Sequence, residues 1–157
     1  MYYFSRDYEQ SLKQYRAVLD MEPSFGSAHL WLAHVYEQKG LFAESISELQ
    51  ARMRLSSDST YALAELGHGY AVAGKGDEAH SVLKQLHTLS KQRYVFTRRH
   101  GDSSRWLAGN DEAFAWLERA FEQRSLWLGY LCVEPQLDAL RADPRFPELL
   151  RRVGFAQ

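Results

Sequence analysis

Apolar positions recur with the period of an α-helix through most of this chain. Leu32, Ala33 and Tyr36 fall at i, i+1 and i+4, one stripe of a helix, and Leu66, Gly67 and Tyr70 write the same stripe again. Gly40 and Gly74 follow four residues behind the tyrosines and end each helix, because glycine takes the left-handed conformation a helix C-terminus needs. A second amphipathic segment comes after each glycine, with Ser45 or Ala79 as a small contact point and Leu49 or Leu83 behind it. Upstream, Tyr8, Ser11, Leu12, Tyr15, Val18 and Leu19 keep the helical period until Pro23 stops it. Downstream, Ala113, Leu117, Ala120 and Phe121 form a stripe flanked by Phe114 or Trp116. Phe146, Leu149, Leu150 and Val153 then stand at i, i+3, i+4 and i+7, a face that predicts a closing helix. Asp143 and Pro144 read as its N-cap and first residue. The expected fold class is all-α.

Residues 26–59 and 60–93 superpose without a gap, Leu32 on Leu66, Tyr36 on Tyr70, Leu49 on Leu83 and Leu55 on Leu89. Each offset is 34 residues. A helix–turn–helix of that size cannot bury its apolar face alone, so stacked neighbours must cover it. The order of leucine and a small residue, tyrosine, a small residue and leucine at this period resembles the tetratricopeptide repeat. Both copies depart from that pattern at the first large position, occupied by His29 and Leu63, and at the closing proline, replaced by Ser57 and Lys91. Pro23 does occupy the closing-proline position of an earlier unit. The stretch from Ser125 through Asp143–Pro144–Arg145–Phe146 to Arg152 is similar to the tail that follows such arrays in bacterial proteins.

The resemblance implies a right-handed solenoid of helical hairpins in one domain, 1–157. Within it, 1–25 would be a partial repeat, 26–59 and 60–93 full repeats, 94–124 an altered repeat and 125–157 a cap. It also implies protein–protein binding in a concave groove lined by the first helix of each unit. On this chain the lining falls on Leu30, His34, Glu37 and Gln38, then Tyr61, Ala64, His68 and Val72, with Ser27 and Ala71 beside them. That face suits an amphipathic helix or an extended apolar peptide of a protein partner. It lacks the lysine and asparagine that clamp a carboxylate in other members. The chain would then be the interaction arm of a larger bacterial regulatory or signalling protein.

Two stretches break the pattern. In the repeat phase Met1 falls inside a first helix that is mostly absent, which would leave Leu12 and Tyr15 without cover. That predicts a fragment, an N-terminal turn that caps the array, or a homo-oligomer that exchanges helices between chains. Residues 94–109 should hold the first helix of a third repeat, but Thr97, His100, Gly101 and Ser104 stand at its core positions. Three readings stay open there: a loop plugged by Trp106 and Leu107, a basic patch of Lys91, Arg93, Arg98, Arg99 and Arg105, or a helix garbled by two compensating frame shifts.

Composition narrows the partners. A net charge of −1 gives no global attraction to nucleic acid or to an anionic membrane, so neither is expected. A single cysteine, Cys132, excludes an internal disulfide; with no apolar leader, a cytoplasmic location follows. Cys132 lies in an apolar tail, which predicts a buried, inert thiol. The six histidines lack metal-ligand spacing, and each reads as a surface or half-buried helix residue. Gly74–Lys75–Gly76–Asp77 lacks the Lys–Ser/Thr of a phosphate loop. With no nucleophile, acid–base pair or cofactor motif, no enzyme, cofactor or small-molecule substrate is expected.

Overall fold

The structure, a computed structural model, describes residues 2–55, 60–92 and 110–155. All regular elements among them are helical. The chain divides into two compact units, Met1–Phe96 and Thr97–Gln157.

The first unit carries α1 (Tyr8–Met21), α2 (Gly26–Gln38), α3 (Phe42–Leu55), α4 (Thr60–Val72) and α5 (Gly76–Gln92), each packed on the next among α1 to α5. Local chemistry sets the ends. Asp7 caps α1 by accepting from the Gln10 amide at 3.2 Å. Gly40 and Gly74 have φ of 71° and 72°. Behind them the Leu41 amide reaches Tyr36 O and the Lys75 amide reaches Tyr70 O, both at 2.9 Å. Those six-to-one bonds close the last turn of α2 and α4 in the same way, one repeat apart.

The small positions of the repeat are where helices touch. Ser11, Ser45, Ala79 and Ala113, each 34 residues from the last, are all buried. Leu30, Ala33, Ile46, Leu49 and Leu66 form the core between α2, α3 and α4, and Leu63, Val82 and Leu86 continue it to α5. Leu83, expected behind Ala79, is only half-buried.

Leu12 and Tyr15 are not left bare. Residues 2–6 make turns that set Tyr3, 1% exposed, into a cluster with Leu12, Leu32, Val35 and Tyr36. Tyr15 stacks on Trp31 with ring planes 8° apart.

The second unit holds α6 (Asn110–Glu122), two 3-10 turns, Leu126–Tyr130 and Pro135–Leu140, and α7 (Arg145–Val153). Its core joins Ala113, Phe114, Leu117 and Ala120 of α6 to Leu128, Leu131, Leu137 and Leu140 of the turns and Phe146 and Leu149 of α7. The apolar face read in the tail therefore does pack on α6. The helix starts one residue later than expected, at Arg145, yet Asp143 still accepts the Arg145 amide at 3.0 Å. Cys132 is exposed, contrary to the buried thiol expected, because the turn between the two 3-10 segments sends Leu131 inward and its neighbour out. The altered helix and basic patch expected over 94–109 lie outside the described residues.

Candidate functional site

The face shared by α2 and α4 is where the sequence places a binding groove. Helices α2 and α4 are first helices of successive repeats, and between them sit four charged or titratable side chains. His34 Nε2 lies 3.2 Å from Glu65 Oε2, and His68 Nε2 lies 3.2 Å from Glu37 Oε2. All four residues are buried. The pairs cross, because each histidine finds its glutamate on the other helix. Both are separated by 31 residues, one repeat less three, so α4 lies against α2 shifted by nearly a helical turn.

The surroundings explain why carboxylates can be buried here. Ser45 Oγ, at the small position of α3, donates to Glu37 Oε1 at 3.3 Å. A Cβ on Gly69 would meet Leu49 Cδ1 at 2.5 Å, with Glu37 Oε1 at 3.9 Å, so only glycine lets α4 come this close. Burial by itself pushes the Glu37 carboxyl up. The charges of His68 and His34 and the His68 hydrogen bond outweigh it, against opposition from Glu65, and hold Glu37 below its ordinary value. Tyr3 and Trp31 flank His34, with Trp31 edge-on at 5.6 Å between ring centroids.

The eight groove residues thus divide. His34, Glu37 and His68 belong to the crossed pairs, and Leu30 to the core. His34 and His68 correct the expectation of surface or half-buried histidines, since the glutamates opposite compensate their burial. Tyr61 is half-buried with the Arg52 guanidinium 5.1 Å over its ring, and Ala64 is half-buried against the α4–α5 core. Gln38 is half-buried and Val72 is 38% exposed. Glu65 was missed by the sequence reading. The signal for it was the 31-residue spacing, which recurs with histidine and glutamate exchanged.

No arrangement of three or more His, Cys, Asp or Glu fit for a metal occurs among the described residues. In the second unit an open depression of about 500 Å³ lies between α6 and α7. Its carboxylates are already engaged: Asp111 with Arg145 at 2.8 Å, Glu118 with Arg152 and Glu148 with Arg151, both at 2.7 Å. Among the described residues no helix is long and apolar enough to cross a membrane.

Searches of curated proteins and of solved structures found no match. A family model described as tetratricopeptide repeat matches residues 2–60. That segment spans the N-terminal turns and α1 to α3, and the α4–α5 hairpin repeats its capping glycine and its buried small residue. On these grounds residues 2–60 of the chain are similar to the tetratricopeptide repeat, and the hairpin after them repeats the same capping glycine and small buried position.

Proposed function

We propose that this chain is a protein-binding module that holds a helix or an extended apolar peptide of its partner against the first helices α2 and α4. Tetratricopeptide repeats mediate protein–protein interaction, and that is the ground for the class. The observation that carries the finer reading is the division of the α2–α4 face. The crossed His–Glu pairs fix two first helices side by side from below, while Val72 and Gln38 keep accessible surface at their C-terminal ends. A fixed pair of helices with an apolar exposed edge presents a pre-organised site, which lowers the ordering cost of binding. Of the eight predicted lining residues, Val72 and Gln38 are then the direct contacts, with Tyr61 and Ala64 contributing their accessible edges. Leu30, His34, Glu37 and His68 shape the site from within. The same reading makes the chain the interaction arm of a larger bacterial regulatory protein in the cytoplasm.

A displayed library of amphipathic and extended peptides, selected against the intact chain, tests this. Binding of a selected peptide should weaken about tenfold or more with Val72→Glu, on the scale of a lost apolar anchor. Gln50→Ala on α3 should leave it unchanged. A peptide that ignores Val72→Glu and Gln38→Ala would place the binding face elsewhere.

A further inference from the structure

His29 stands outside the crossed pairs and has its own geometry. It projects from the first turn of α2 with its Nδ1 2.6 Å from Glu48 Oε2 of α3 and its Nε2 3.0 Å from the Pro23 carbonyl oxygen. Its side chain is 13% exposed and that of Glu48 23%. Pro23 lies in the turn that joins α1 to α2, so one imidazole ties that turn to α3.

Proton counting constrains this arrangement. A carbonyl oxygen only accepts, so Nε2 must carry a hydrogen. A carboxylate also only accepts, so the 2.6 Å contact needs a second hydrogen, on Nδ1 of an imidazolium or on a protonated Glu48. Either way the pair holds one proton more than a neutral imidazole beside a carboxylate. Take that proton away and one contact is lost: two lone pairs face each other at Glu48, or Nε2 gives up Pro23.

We infer that His29 and Glu48 form a proton-operated clasp, closed on the α1–α2 turn while the pair shares one extra proton and open when that proton leaves. Other charged groups near it are Arg16 of α1, which interacts with Glu48, Arg52 of α3, whose Nη1 donates to Gly26 O at 2.7 Å, and Glu22 in the turn. Glu22 is occupied by Ser24, which donates to it from its amide and its hydroxyl. Arg52 holds the start of α2 whatever the pH, so opening concerns the turn and not the whole hairpin. The clasp makes the hold on the α1–α2 turn sensitive to pH.

Glu48→Gln separates this from a merely structural contact. A glutamine amide can donate to the bare Nδ1 of a neutral His29 while Nε2–H still reaches Pro23, so the clasp needs no extra proton. The readout is amide exchange at Phe25 and Ala28, which bond to Glu22 O and Phe25 O in the turn, corrected for the intrinsic rate at each pH. In the wild type their protection should fall about three- to tenfold between pH 6 and pH 8.5, the range of one hydrogen bond. In Glu48→Gln it should stay level. His29→Gln should also stay level, at lower protection than wild type at pH 6. The Ala73 and Lys75 amides, at the far end of α4, control for changes in the crossed pairs. A level wild type, a Glu48→Gln that falls in parallel with it, or a His29→Gln that keeps the fall would each overturn the clasp.

Discussion

Glu37 is the residue where burial and charge compete most directly. Its carboxyl is held below the ordinary 4.5 despite burial, by His68, His34 and a hydrogen bond from His68. A folded-state value below the unfolded one means stability that is fully present above pH 4.5 and is lost as pH falls through the folded value. Glu37→Gln should therefore cost about 3 kcal/mol at pH 7, as for one partner removed from a buried pair. In urea unfolding the gap to wild type should close on acidification below about pH 4, the ordinary glutamate range. Gly69 shows the same seam from the packing side. Alanine would gain up to ~1 kcal/mol of helix propensity. Its Cβ would sit 2.5 Å from Leu49 Cδ1, and Leu49 is too buried to swing aside. Overpacking costs roughly 1–3 kcal/mol, so Gly69→Ala should lower stability in the same measurement. Arg124 is the opposite case. It holds φ of 51° behind α6, where Ser125 bonds to Ala120 O just as Leu41 bonds to Tyr36 O behind Gly40. Arg124→Gly should raise the melting stability of the second unit by about 1 kcal/mol.

The elements were legible where repeat phase and helix period agreed. Gly40 and Gly74 marked the ends of α2 and α4, and the 34-residue series of small residues marked the contacts between helices. What the sequence could not show was which side of α2 is interior. Histidine and glutamate read as solvent-facing by type, and only the offset of α4 against α2 brings His34 to Glu65 and Glu37 to His68. The groove positions were assigned by family register, which ignores that offset. Cys132 was misread because it lies in an apolar stretch, yet it sits in the turn between the two 3-10 segments, where its neighbour Leu131 takes the buried place. Helix α7 tests how far an element depends on its neighbours. Nine residues are too few to form a stable helix alone. Its hold is Phe146 and Leu149 in the α6 core, helped by Arg145 over Phe114 at 4.2 Å and Arg152 over Phe121 at 4.5 Å. Leu149→Ala should cost about 2–5 kcal/mol, and α7 amides should lose exchange protection before those of α6.

At the scale of the whole molecule, the two units carry different acid sensitivities. In the first, Glu37 is a buried carboxylate that acid must neutralise. In the second, Asp143 is held down to about 2 by hydrogen bonds from the Arg145 side chain and amide. The sign is the same for both: each stabilises its unit above its unfolded value and ceases to do so as pH falls through the folded one. The windows differ, since Asp143 starts from 3.8 and its contribution runs out only toward pH 2. Asp143 also accepts the Arg145 amide at the start of α7, so its loss should appear as fraying of that helix and not as a change at the α2–α4 seam. Backbone NMR on the intact chain, from pH 7 to pH 2, follows both units at once. The chemical-shift difference between Glu37→Gln and wild type over α2 and α4 should fade as the pH drops below 4.5. The difference between Asp143→Asn and wild type over α7 should persist until the pH approaches about 2. A Glu37→Gln difference that spreads to α7, or an Asp143→Asn difference that appears over α2 and α4, would mean that one titration governs both units, and the assignment of separate acid switches to Glu37 and Asp143 would fail.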